Sequence, residues 1–516
     1  MSTATDAALA LLVLSAVGVL PTLALVGTRW IAVTLTPLAG AVVAAGAATV
    51  FVAVGGSFMV WFWVLGVVVA GAVVAWWGVR PDQRPRPVAG PAPASDRRAH
   101  RVAGVVGAVG IVAVCAWSLR SLSSPTVGFD ARALWILRAG WFLQPHAQML
   151  VDLRLPQLIL NQTTYPPLVS AGGAVAWSVT GNHTDRLAVV VTALLNTCAL
   201  ATAAFALVEC GRRCARAASG GGDLGAAAVV PMAAGVVAAV LLVPIAFGVT
   251  EPFITNGYAD PIWSLAALGA VAYGLQLPDS RSQQGAAALL LLVAGLSKDE
   301  GFATALVLIA LVAGRRLATL PPASRRSRWW PPVVVAGLEV AAVSAWPLLM
   351  RVLHARGTTT TYSRPGQWPG RARATVDGFT PYLHVLLVAV PVAVVGGLLL
   401  SRVRRSGGMA NDWWGWAGLS AGLAAVGGAL VTGSDDIRSW LVTTVHRVTE
   451  FPALAGWWIV AVWLVVATTA PLLASLPDDP TPPVGDGSDA DPGREPERPE
   501  PVGVPAAPAP VSGGPP

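Results

Sequence analysis

Gly128-Phe129-Asp130-Ala131-Arg132-Ala133-Leu134-Trp135-Ile136-Leu137-Arg138 follows an apolar run that ends near Arg120. The stretch sets one carboxylate and two guanidiniums at the mouth of a strongly apolar chain. A charged side chain at the centre of a membrane helix costs about 2.5–3.5 kcal/mol on insertion scales, so charges in such surroundings mark function more often than packing. Read as a helix, the stretch puts Phe129, Ala133, Ile136 and Leu137 on one side and Arg132, Trp135 and Arg138 on another. That is the pattern of an amphipathic segment lying at a membrane interface. Asp130 opens its first turn, where the positive end of the helix dipole favours an ionised carboxylate.

The surrounding chain fits that reading. Of its 516 residues, 54% are hydrophobic and 12% are charged, which excludes an ordinary soluble domain. The formal charge of +7 rests on arginine, because Lys298 is the only lysine. This arginine bias is that of a GC-rich genome. The excess is read as setting orientation and meeting lipid headgroups, with no aromatic-basic cluster pointing to nucleic acid. Cys115, Cys198, Cys210 and Cys214 lie in or beside apolar runs with no histidine nearby, so they are read as reduced thiols rather than a zinc site. The first apolar run has no small-residue cleavage site of the secretory kind.

Runs of about 20 apolar residues, long enough to cross a bilayer, recur at 7–27, 31–53, 58–78, 102–120, 187–208, 226–248, 259–277, 331–353, 381–401, 412–432 and 453–475. Shorter ones at 284–297 and 301–314 flank Ser297-Lys298-Asp299-Glu300-Gly301. Arginines crowd the loops around Arg80–Arg101, Arg212–Arg216, Arg315–Arg328 and Arg402–Arg405, and the positive-inside rule places all four in the cytoplasm. Parity then makes Tyr165–Val179 a re-entrant or surface helix within a long external loop, 121–186, and makes 284–314 a hairpin with Lys298, Asp299 and Glu300 at its outer end. The expected fold is all-α and polytopic, with about thirteen spans, the N-terminus outside and the C-terminus inside. Residues 1–101 supply three N-terminal spans and a basic loop, 102–475 a transmembrane module, and 476–516 a Pro/Asp/Glu-rich tail of disordered composition.

Taken in order, Phe129–Arg138, Thr164-Tyr165-Pro166-Pro167-Leu168, Gly257-Tyr258-Ala259-Asp260-Pro261, Ser297–Gly301 and the late segment Trp440–Arg447 resemble the membrane glycosyltransferases of the GT-C superfamily. The likeness is closest to the bacterial branch that uses polyprenyl-phosphate sugars. It covers roughly residues 102–450, and it departs from the family pattern at Arg138, where a lysine is expected. The resemblance implies an inverting transfer of sugar from a polyprenyl-phosphate donor to a glycan, lipid or protein acceptor. The site would lie on the external face of a bacterial cytoplasmic membrane, with Asp130 as general base and Arg132, Arg138, Tyr165, Asp260, Lys298, Glu300 and Arg447 as substrate-binding residues.

Such a transfer needs a base for the acceptor proton, positive charge for the leaving phosphate and a water-poor cleft. Several residues carry two readings. Asp130 is a base, or a helix cap or partner of Arg132. Lys298 holds phosphate together with Arg138 and Arg447, or pairs with Asp299 or Glu300 at a hairpin tip. Asp260 orients the acceptor or joins Asp130 or Glu300 around a divalent cation, the one cofactor this acid set suggests, or it merely starts a helix. Tyr165 packs under the donor or marks a proline turn. The loop 354–380, with His354, Arg364, Arg371 and Arg373, covers the acceptor side or simply meets anionic lipid. His146, Asp152 and Arg154 receive no role. Two rival functions remain: a transporter or flippase for a lipid-linked glycan, which would spread its charges along a path through the membrane, and a non-catalytic scaffold of the same fold.

Overall fold

The computed structural model describes residues 2–27, 29–79, 105, 109, 126–154, 164–218, 229–250, 253–277, 280–321, 329–355, 363–399, 412–433 and 437–474. Apart from residues 105 and 109, the span expected at 102–120, the basic loop around Arg80–Arg101 and the tail after 475 lie outside the described residues. Among the described residues the regular elements are helical. Nine helices among the described residues are long and apolar enough to cross a membrane, or ten if a bent pair counts as one span. The protein is a polytopic membrane protein.

The chain begins with three long helices, α1 (Thr3–Val26), α2 (Ile31–Val54) and α3 (Phe58–Val79). After the gap comes a π-helical turn, Ala131–Ile136, that runs directly into α4 (Leu137–Trp141), followed by α5 (His146–Asp152) and α6 (Leu168–Thr180). Long helices resume with α7 (Asp185–Ala218) and α8 (Val229–Thr250). Then α9 (Asp260–Ala270) continues as a second π-helical stretch to Gln276, before α10 (Arg281–Gly295), α11 (Asp299–Ala318) and α12 (Trp330–Val352). The remainder is α13 (Trp368–Phe379), α14 (Leu386–Leu399), α15 (Asp412–Thr432), α16 (Ile437–Val448) and α17 (Glu450–Ala474).

Hydropathy explains most of this order, because a span must satisfy its own backbone hydrogen bonds and helices do so. The first helices pack on α6 and α7, so residues 3–54 are continuous with the main bundle. Asn182, just past α6, donates to the buried Asp6 carboxylate in the first turn of α1 at 2.7 Å. The far end of α2 meets α5, where the His146 ring contacts Val52 O at 3.0 Å. These contacts gather the start of α1, the end of α2, the start of α5 and the end of α6 at one end of the bundle.

Two expectations change. The loop 354–380 contains α13, whose Trp368, Ala372, Thr375, Val376 and Phe379 recur at helical spacing; Thr375 and Phe379 are buried. It bends by 78° into α14, so the span expected at 381–401 is a shorter helix after a sharp corner. Arg371 of this helix donates to Leu430 O and Val431 O and so caps α15. The second change concerns the α10–α11 hairpin. Its tip is not a solvent-facing turn: Ser297 and Lys298 are buried, because Leu168 N–H at the head of α6 donates to Leu296 O at 2.9 Å and brings the re-entrant helix against it. The helix expected over Tyr165–Val179 is therefore packed within the bundle, with Leu168–Trp177 buried.

Gly301 makes that hairpin close. A Cβ there would sit 2.3 Å from Ala294 O and 2.8 Å from Trp263 Cβ, so α10, α11 and α9 meet where no side chain fits. Gly301→Val should lower thermal stability in detergent by the equivalent of about 1–3 kcal/mol or more. Gly314→Ala in the same helix, where a Cβ meets open space, should leave the melting temperature unchanged or slightly raised.

Candidate functional site

At the end of the bundle that holds Asp6, His146 and Asn182, the helix starts of α9, α11 and α17 converge with α16 and the π-turn that opens at Asp130. Asp260, the first residue of α9, is wholly buried. One of its oxygens accepts from Lys298 Nζ at 2.6 Å and the other accepts from Arg447 Nη2 at 2.9 Å and Nε at 3.2 Å. Arg447 also donates through Nη1 to Asp130 Oδ2, and Lys298 makes a second ion pair with Glu300 Oε1 at 3.2 Å. Charges therefore alternate along one line: Asp130, Arg447, Asp260, Lys298, Glu300.

The local backbone makes these contacts possible. Lys298 has extended backbone just before α11, so its side chain leaves the hairpin toward α9. Gly257, at φ +91°, turns the chain into Tyr258, in a conformation that side-chain-bearing residues rarely adopt. Gly128 lies flat against the Tyr258 ring, where a Cβ would come within 2.0 Å of the ring carbon Cε2, and its amide donates to Asn256 O at 3.1 Å. The Arg447 guanidinium sits over two rings, 4.7 Å from the Tyr258 centroid and 5.6 Å from that of Phe253.

Electrostatics follow from burial and pairing. Burial works against the Lys298 ammonium, but Asp260 and Glu300 outweigh it and hold its pKa above the usual lysine value. Burial likewise opposes the Arg447 charge, and Asp260 with Asp130 overcomes it, leaving the pKa above that of an ordinary arginine. Arg138 differs. Burial pulls its pKa down to about 10, with Asp299 opposing, so it stays cationic at neutral pH. Its Nη2 donates to Tyr165 O and its guanidinium lies 5.4 Å from the Trp346 ring; among the described residues its Nη1 has no hydrogen-bond partner. The Tyr165 ring stacks on Trp135 at 5.4 Å and stands 6.0 Å from Lys298 Nζ, which links this second cation to the first group.

The structure thus brings together Asp130, Arg138, Tyr165, Asp260, Lys298, Glu300 and Arg447. It leaves out Arg132, which is 67% exposed at its side chain and pairs with Asp185 at 2.9 Å on the surface. The expected division into two faces holds only in part: Trp135 and Arg138 are buried while Arg132 stays exposed, and Ile136 is buried while Phe129 and Leu137 are exposed. A π-turn widens the helical repeat, so residues four apart no longer share a face as they would in an α-helix. Asp130 neither caps a helix through its side chain nor pairs with Arg132.

A divalent cation does not fit this donor set. Both Asp260 oxygens are engaged by cations, Asp130 is engaged by Arg447, and no group of three metal-ligating side chains occurs among the described residues. His146, Asp152 and Arg154 serve local packing: His146 on Val52, Asp152 accepting from Gln148 at 2.9 Å, and Arg154 donating to Leu353 O at 3.2 Å. Two members carry no role in the sequence reading. Glu450, the buried first residue of α17, accepts from Ser264 Oγ at 3.2 Å, and Tyr258 touches both Arg447 and Asp130. An acid opening an apolar span three residues after an arginine was the available signal for the first. Comparison of the chain with protein-family models, curated proteins and solved structures finds no match.

Because Asp260 is shared by two buried cations, removing it leaves Lys298 with Glu300 alone and Arg447 with Asp130 alone. Asp260→Asn should cost about 3–5 kcal/mol of stability. Adding Lys298→Met to that variant should recover part of the loss, and a double-mutant cycle on thermal unfolding in detergent measures the coupling.

Proposed function

We propose that this protein is a membrane glycosyltransferase that moves a sugar from a polyprenyl-phosphate carrier to a cell-envelope glycan, lipid or protein. The observation that carries the reading is one partly exposed carboxylate, Asp130, with a quarter of its side chain accessible, paired with Arg447, one of two cations that an interior acid holds in place. In the reaction, Asp130 takes the proton of an acceptor hydroxyl, whose oxygen forms a bond to the anomeric carbon. The bond from that carbon to the phosphate oxygen breaks with its electron pair, and the carrier phosphate gains the charge that Arg447, Lys298 and Arg138 face. Direct displacement inverts the anomeric centre.

The arrangement supports this reading over a transporter because the site charges described here gather at one end of the bundle instead of lining a path through it. In the same proposal the chain crosses a bacterial cytoplasmic membrane about thirteen times, N-terminus outside and C-terminus inside, with the charge cluster on the external face. His183, exposed at that end, tests the orientation. In a variant lacking the native cysteines, His183→Cys should react with a membrane-impermeant maleimide in whole cells; labelling only after lysis would invert the topology.

Function is tested by envelope glycan composition and linkage in a deletion strain carrying wild-type or variant protein at matched abundance. Asp130→Asn should lower sugar transfer by about 10²–10⁴-fold, the usual contribution of a general base. Arg132→Ala should restore the linkage like wild type, since its surface ion pair lies outside the cluster. Full restoration by Asp130→Asn would remove Asp130 as base and favour a transporter or scaffold.

A further inference from the structure

Tyr258 is used by nothing in the mechanism above, yet it stands between the two residues that mechanism uses most. Its ring carries the Arg447 guanidinium, at 4.7 Å. Its hydroxyl oxygen accepts from the Asp130 backbone N–H at 3.4 Å. A phenol oxygen that accepts an amide proton still has its own proton to donate, and the accepted bond polarises it into a better donor. Among the described residues no hydrogen bond takes that proton.

The surrounding backbone is shaped to this ring. Gly128 leaves room for it and Gly257 supplies the turn that presents it, so two glycines are committed to seating one tyrosine. Burial pushes the Tyr258 pKa up, with the Asp130 charge adding to the effect, so the hydroxyl keeps its proton throughout the neutral range. A neutral donor beside a guanidinium and next to a base suits a phosphate oxygen. Such a donor supplies a directed hydrogen bond where Arg447 supplies charge.

We propose that the Tyr258 hydroxyl is a hydrogen-bond donor to the carrier phosphate, completing with Arg447 the site for the leaving group; this rests on the polyprenyl-phosphate reading. The donated proton stays on Tyr258, and the bond strengthens as the departing phosphate gains charge. Phenylalanine at this position keeps the ring under Arg447 and removes the donor, together with the oxygen that accepts the long 3.4 Å bond from the Asp130 N–H.

The test titrates polyprenyl monophosphate, and uncharged polyprenol as control, into full-length wild type and Tyr258→Phe in lipid nanodiscs, following tryptophan fluorescence. Melting temperatures should match. Tyr258→Phe should bind the phosphate about tenfold more weakly, the range for a hydrogen bond to a charged group, and polyprenol equally well. Equal phosphate affinity in the two proteins overturns the assignment while leaving the donor reading standing, as does an equal loss for phosphate and polyprenol. A wild type that binds the phosphate no better than polyprenol overturns the donor reading itself, and the Tyr258 assignment with it.

Discussion

The contact on which this end of the molecule depends is the Asp260 carboxylate held between Lys298 and Arg447. Its two oxygens tie the starts of α9 and α11 to α16, segments separated by 38 and 187 residues. Removed from water, three such charges are costly singly and tolerable only together. The energetic return over an apolar packing of the same volume is small or negative, so the arrangement is better understood as fixing positions than as adding stability. What it fixes is a guanidinium against Asp130 and an ammonium beside Glu300 and Tyr165.

That organisation assigns different work to the two aspartates. Asp260 is saturated and inaccessible, which suits a residue that positions cations for others. Asp130 reaches the surface and shares Arg447 with Asp260.

Much of this was legible in the sequence because a bilayer reduces the problem to a few strong rules. Runs such as Ile31–Val54 and Val229–Thr250 announce themselves by length and hydropathy, and scarce charges such as Lys298 and Arg447 stand out against them. Pairing was less legible. That Asp260 would meet both Lys298 and Arg447 depends on how three helix starts converge, which no spacing encodes. The reading of 129–138 holds only in part because an α-helical repeat does not describe a π-turn: Arg132 stays at the surface while Trp135 and Arg138 turn toward protein. Lys298 was placed at a hairpin tip, and only the docking of Leu168 on Leu296 explains its burial. In α13, the helical spacing of Trp368, Thr375 and Phe379 was present in the sequence and was obscured by the density of arginines around it.

The most direct measurement is a cryo-electron microscopy map of the full-length protein in lipid nanodiscs with polyprenyl monophosphate bound. The account predicts phosphate density within hydrogen-bonding distance of Arg447 and the Tyr258 hydroxyl, with Asp260 still between Lys298 and Arg447 and with Asp130 facing the phosphate. Phosphate density elsewhere, or a map in which Asp260 has released both cations, would contradict it.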